Sequence, residues 1–131
     1  MISGRLRTSD GVELHWREWP ATRPLRAAVV ILHGVGEHGG RYEALAAGLG
    51  SNGIACFVFD HRGHGCSTGP RGHVDRWDRY ELDVSEFLDG VVRKRLSTPF
   101  YLYGHSMGSL ICLTLAIQGF GRKFESLDGW V

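Results

Sequence analysis

The chain is poor in cysteine, in long apolar runs and in charge of one sign, and each shortage excludes something. Three cysteines in 131 residues, Cys56, Cys66 and Cys112, form an odd set with no C-x-x-C spacing. That excludes a disulfide-stapled scaffold and points to a reducing compartment. No apolar run reaches the roughly 18 residues that could cross a bilayer. The opening MISGRLRTSDG lacks the apolar stretch of a secretory signal, so a cytoplasmic location is expected. Lys and Arg total 15 against 14 for Asp and Glu, with no run of like charge. A nucleic acid or an anionic membrane is therefore not the expected partner, and a small molecule is. Internal repeats, low-complexity tracts and linkers are missing too. One domain is thus expected over residues 1–131, with 43% apolar, 22% charged and 11% aromatic residues of ordinary globular type.

Periodicity organises what is present. From Arg5 to Trp19, Val12, Leu14 and Trp16 alternate with Glu13, His15 and Arg17, and Ser9-Asp10-Gly11 supplies a turn. This predicts an antiparallel hairpin. Three unbroken apolar runs, Ala27 to Leu32, Ile54 to Phe59 and Phe100 to Tyr103, carry the mark of strands covered on both faces. Helices are expected between them: Arg41 to Leu49, with Tyr42, Leu45, Ala46 and Leu49 on one face, and a longer one with Trp77, Tyr80, Val84, Phe87, Leu88 and Val91 at helical spacing. A further helix is expected over Met107 to Gln118, and a sixth strand begins at Leu127 to Val131. Buried strands alternating with helices predict an α/β fold, with a mostly parallel sheet flanked by helices.

Three glycine-rich segments follow the three apolar runs. Gly104-His105-Ser106-Met107-Gly108 matches G-x-S-x-G, directly after a strand and directly before a helix. That order lifts a serine hydroxyl clear of the sheet at a helix N-terminus, where free N–H groups favour developing negative charge. The alternative is a glycine-flanked turn around an inert serine; the strand-to-helix context weighs against it. His33-Gly34-Val35-Gly36-Glu37-His38-Gly39-Gly40 can bring a backbone N–H to an oxyanion, with Val35 and Met107 as the paired amide donors. It lacks the G-K-[ST] ending of a phosphate loop. In Asp60-His61-Arg62-Gly63-His64-Gly65-Cys66-Ser67, Asp60 and Arg62 are expected to hold the loop by charge-assisted hydrogen bonds. A zinc site from His61, His64 and His73 has against it the absence of Cys or carboxylate ligands at the usual spacing. His105 is expected to pack or hydrogen-bond rather than act as a base, and Cys112 to lie in the core.

LHGVGEHGGRYEALA, FVFDHRGHGCSTGPRGHVDRW and YGHSMGSL together resemble the monoacylglycerol lipase and lysophospholipase branch of the α/β-hydrolase superfamily, grouped with serine aminopeptidase-like hydrolases. The likeness runs from about Gly11 onward and implies the N-terminal portion of that fold, its sheet incomplete at the C-terminal edge. It implies a serine hydrolase of carboxylic esters such as monoacylglycerols, needing no metal or organic cofactor. Ser106 would be the nucleophile, and the Val35 and Met107 amides the oxyanion hole. A peptidase or thioesterase on the same elbow stays open. A lipid substrate would also bring peripheral contact with lipid.

The pattern departs from the family in one respect. The triad there runs Ser, then Asp or Glu, then His, yet His15, His33, His38, His61, His64, His73 and His105 all precede Ser106, and only Glu125 and Asp128 are acids after it. Residues 1–131 alone are therefore expected to be nearly inactive. An open sheet edge is expected to recruit a second copy or a complementing C-terminal chain. A non-catalytic subunit that assembles through that edge is the competing reading.

Overall fold

A computed structural model describes residues 1–118 and the backbone of residues 127–130. Six strands form one sheet in the order β1-β2-β4-β3-β5-β6. The expected hairpin is β1 (Ile2–Arg7) against β2 (Glu13–Trp19), paired antiparallel with Leu6 opposite Leu14. β2 runs antiparallel to β4 (Ile54–Phe59), with Trp16 opposite Phe59. The rest of the sheet is parallel: β3 (Ala27–Leu32) lies between β4 and β5 (Phe100–Gly104), and β5 pairs with β6 (Leu127–Trp130).

The apolar runs become interior strands because both faces are covered. Phe57 and Phe59 of β4 point into the larger core with Val30, Leu32, Leu102, Val84, Phe87, Ile111 and Leu115. Their neighbours Cys56 and Val58 point the other way, into a smaller cluster with Ile31, Trp19 and Ala46. Period-two alternation thus splits one apolar strand between two cores.

The helix expected over Arg41 to Leu49 is divided. A 3-10 turn, Gly39–Tyr42, leads into α1 (Glu43–Gly50). Ala46 is buried, but Leu45 is 42% exposed, because it borders an apolar groove with Val29, Leu49, Tyr101 and Tyr103 that no described element covers. The long amphipathic helix is α2 (Asp78–Phe87), continued by a π-helical turn, Leu88–Val92, and a final turn, α3 (Arg93–Arg95). Tyr80, Val84, Phe87, Leu88 and Val91 face the core as their spacing predicts. Trp77 does not join them: it precedes the helix, is 37% exposed, and donates from its indole to Thr114 Oγ1 at 3.3 Å. The last helix, α4 (Met107–Ile117), and β6 fall where expected. Glu125 and Val131 lie outside the described residues, as does the side chain of Asp128. No helix among the described residues is long and apolar enough to cross a membrane.

β3, β4 and β5 run in the same direction, so their C-terminal ends release the three glycine-rich segments at one edge of the sheet. That edge is where ligands meet open α/β sheets.

Candidate active site

At the end of β5 the chain turns into α4 through Ser106, which has φ 52° and ψ −115°. It is the only non-glycine with positive φ among the described residues. Such a conformation costs on the order of 1–3 kcal/mol and persists only where the surroundings impose it. Here they do. His105 N–H donates to the Leu32 carbonyl at 3.0 Å, tying the turn to the end of β3. A Cβ on Gly108 would sit 1.9 Å from that same carbonyl oxygen, and one on Gly104 would sit 2.5 Å from the Gly108 carbonyl oxygen. The two glycines of the pentapeptide are therefore required by backbone-to-backbone contact.

The loop after β3 lies against this turn, and a Cβ on Gly34 would be 3.3 Å from Ser106 Cβ. Glu37 fixes the loop. Its Oε2 accepts from the Gly34 amide at 2.9 Å, from the Tyr42 hydroxyl at 3.0 Å and from His105 Nδ1 at 3.1 Å. The Gly34 amide first, then Tyr42 and His105, hold the Glu37 carboxyl down at about 2. A carboxylate only accepts, so His105 Nδ1 carries its proton toward Glu37. His105 thus has the hydrogen-bonding role expected of it. Sequence reasoning assigned Glu37 no role; the available signal was an acid placed among four loop glycines.

Because Gly34 donates to Glu37, it is not a free donor. The amides of Val35 and Met107 have no partner among the described residues, which leaves this pair available at the two segments expected to provide them. The Val35 side chain is exposed and Met107 is buried. The Ser106 hydroxyl makes no capping bond to α4.

The loops after β3 and β4 are joined by histidines. His33 Nε2 accepts from the His61 amide at 2.9 Å, so its Nδ1 donates to the Gly34 carbonyl at 2.7 Å. His61 Nε2 donates to the His33 carbonyl at 3.2 Å. Burial drives His33 down to about 4 and His61 well below its ordinary range, so both rings are neutral. His64 bonds the Arg62 carbonyl at 2.9 Å, while His73 lines a separate cavity of about 260 Å³ beside Arg62 and Pro70. His61, His64 and His73 thus do not converge on a metal.

Asp60 and Arg62 hold their loop by separate means. Asp60 accepts from Arg17 and the Gly39 amide, both at 2.7 Å, and from the Cys66 amide at 2.9 Å. Burial alone would raise its pKa, but the Cys66 and Gly39 amides and Arg17 outweigh it and keep the carboxyl below its usual range. Arg62 forms a two-pronged pair with Asp83 of α2, both contacts at 2.7 Å, and reaches Asp10 at 2.9 Å. Cys112 is buried, and burial pushes its thiol up to about 11, fitting a core residue.

Comparison with known proteins agrees with this geometry. The family described as serine aminopeptidase, S33, matches residues 23–131. Over 113 residues the chain is 37% identical to a monoglyceride lipase of Homo sapiens, covering 86% of this chain and 37% of that protein. Over 98 residues it is 34% identical to a monoacylglycerol lipase of Mycolicibacterium smegmatis, covering 75% of this chain and 35% of that protein. A soluble variant of monoglyceride lipase from Saccharomyces cerevisiae, solved with a substrate analog, superposes with a TM-score of 0.77 at 30% identity, over 97% of this chain and 42% of that one. A carboxyl esterase from Bacillus coagulans superposes at 0.84 with 22% identity, over 98% of this chain and 42% of that one, a likeness of fold alone. The chain thus spans less than half the length of these relatives. An elbow serine beneath a glycine-rich loop, on a sheet in this strand order, agrees with the family match, and the chain belongs to the serine aminopeptidase S33 family of α/β-hydrolases, among relatives that include monoglyceride lipases.

Proposed function

We propose that the chain carries the nucleophile and oxyanion hole of a serine ester hydrolase acting on small acyl esters, of which monoacylglycerols and lysophospholipids are the favoured class. The observation that carries this is Ser106 in its forced backbone conformation, with two unpartnered amides, Val35 and Met107, on the segments that meet there. Ser106 Oγ attacks the ester carbonyl carbon while its proton passes to a base. The oxyanion takes the Val35 and Met107 N–H groups, the C–O bond to the alcohol breaks, and water releases the acid from the acyl-enzyme. The names of the relatives support the substrate class.

The base comes from polypeptide other than residues 1–131. All seven histidines precede Ser106 in sequence, and the two buried nearest the loop, His33 and His61, are committed to each other. Without a base the hydroxyl is a weak nucleophile. A fluorophosphonate probe is therefore expected to label residues 1–131 weakly, and to label Ser106 strongly when the chain is joined to a segment carrying the later acid and histidine. Ser106→Ala abolishes the strong signal; strong labelling of the 131-residue chain alone contradicts this account. Exposed apolar side chains on α4 favour a second reading, a subunit that assembles without catalysis, in which Ser106→Ala changes nothing.

A further inference from the structure

Behind the 33–40 loop, at the C-terminal end of β4, three side chains that the ester chemistry does not use come together. An imidazole nitrogen of His15, a carboxylate oxygen of Asp60 and Sγ of Cys66 all lie within 4.8 Å of one another. Backbone bonds hold them in place. Asp60 N–H donates to the His15 carbonyl at 2.8 Å, His15 N–H donates to Ser67 Oγ at 2.9 Å, and Cys66 N–H donates to Asp60 Oδ2 at 2.9 Å. His15 Nδ1 is buried with no hydrogen-bond partner, and lies 3.6 Å from Asp60 Oδ2. An unpartnered buried nitrogen is costly. Its distance from Oδ2 is close to the roughly 3.3 Å that separates nitrogen and oxygen ligands around tetrahedral zinc with bonds of about 2 Å.

We propose that His15, Asp60 and Cys66 form a site for a thiophilic divalent cation, Zn²⁺ above all, with a fourth position open to water. Cys66 is exposed, so its thiol can close on the cation by rotation, and the open position faces solvent. Arg17 already balances the Asp60 charge at Oδ1. The incoming ion must therefore gain its charge compensation from a thiolate, which selects Zn²⁺ over Mg²⁺ or Ca²⁺. Asp60 also receives the Gly39 amide, which links the cation to the loop that carries Val35.

The test is metal titration of the purified chain. Zn²⁺ is expected to bind at one equivalent against a chromophoric chelator, and Co²⁺ to give a thiolate-to-metal charge-transfer band. Cys66→Ser, at an exposed position, removes that band and weakens Zn²⁺ binding at least tenfold; His15→Gln weakens it similarly. Equal Zn²⁺ affinity in C66S or in H15Q, a Co²⁺ spectrum without the thiolate band, or no uptake by the unaltered chain overturns the proposal. Should H15Q fail to fold, C66S and the Co²⁺ band still decide.

Discussion

Glu37 concentrates three bonds on one oxygen, joining the loop after β3 at Gly34, the 3-10 turn at Tyr42 and the elbow at His105. Its carboxyl is held at about 2 against an ordinary value of 4.5. A depressed acid adds stability that is present above the unfolded value and is lost as pH falls through the folded one. The window is thus from about 4.5 down to about 2. Glu37→Gln retains an acceptor but not the charge, so it is expected to cost on the order of 1–3 kcal/mol at neutral pH. The difference from the unaltered chain should shrink across that window, as read from urea midpoints at stepped pH. Parallel acid curves for the two proteins would refute the role given to Glu37. Ser106 was legible in the sequence because G-x-S-x-G is local and its context is a strand and a helix. Glu37 was not, because Gly34 and Tyr42 close on it through an irregular loop that no periodicity describes, and His105, 68 positions away, reaches it only after β3 and β5 have paired. The same holds for His33 and His61, 28 positions apart, whose mutual hydrogen bonds exist only because β3 and β4 are neighbours.

Among elements, the contact that fastens α2 to the loop after β4 is the Arg62–Asp83 pair, both partners less than a tenth exposed. Removing Arg62 leaves the Asp83 carboxyl buried without its partner, whereas Arg62 without Asp83 keeps Asp10. Arg62→Met is expected to cost about 3–5 kcal/mol, whereas Arg62→Met with Asp83→Leu should recover much of it, since an apolar pair can replace a buried ion pair at little cost. Unfolding midpoints of the two single variants and the double variant measure this cycle, and additive losses would argue against it. The helix and strand periods that located α2, α4 and the parallel strands were readable because each core face is a simple repeat. The division at Tyr42 and the exposure of Trp77 and Leu45 were not. They depend on which neighbouring surfaces are covered, and periodicity carries no information about that.

For the whole molecule, covering is the governing question. On α4, Leu110, Leu113 and Ile117 are 55%, 55% and 76% exposed, and their spacing of three and four residues makes one continuous apolar stripe. Across the sheet, Val29, Leu45, Leu49, Tyr101 and Tyr103 line an apolar groove with a volume of about 280 Å³. Apolar surfaces on both sides of the parallel end of a sheet favour association with further polypeptide. Residues 1–131 in isolation are therefore expected to run above the 14.5 kDa monomer mass in size-exclusion chromatography with light scattering, and to bind an apolar dye. Leu110→Gln, Leu113→Gln and Ile117→Gln together should move the mass toward the monomer while leaving the unfolding midpoint nearly unchanged, because these side chains contribute little to the core they back onto. A 14.5 kDa monomer that unfolds cooperatively without the substitutions would show that the two surfaces need no cover. Association that survives the triple variant would instead place the contact at the β6 edge or the Tyr101 and Tyr103 surface.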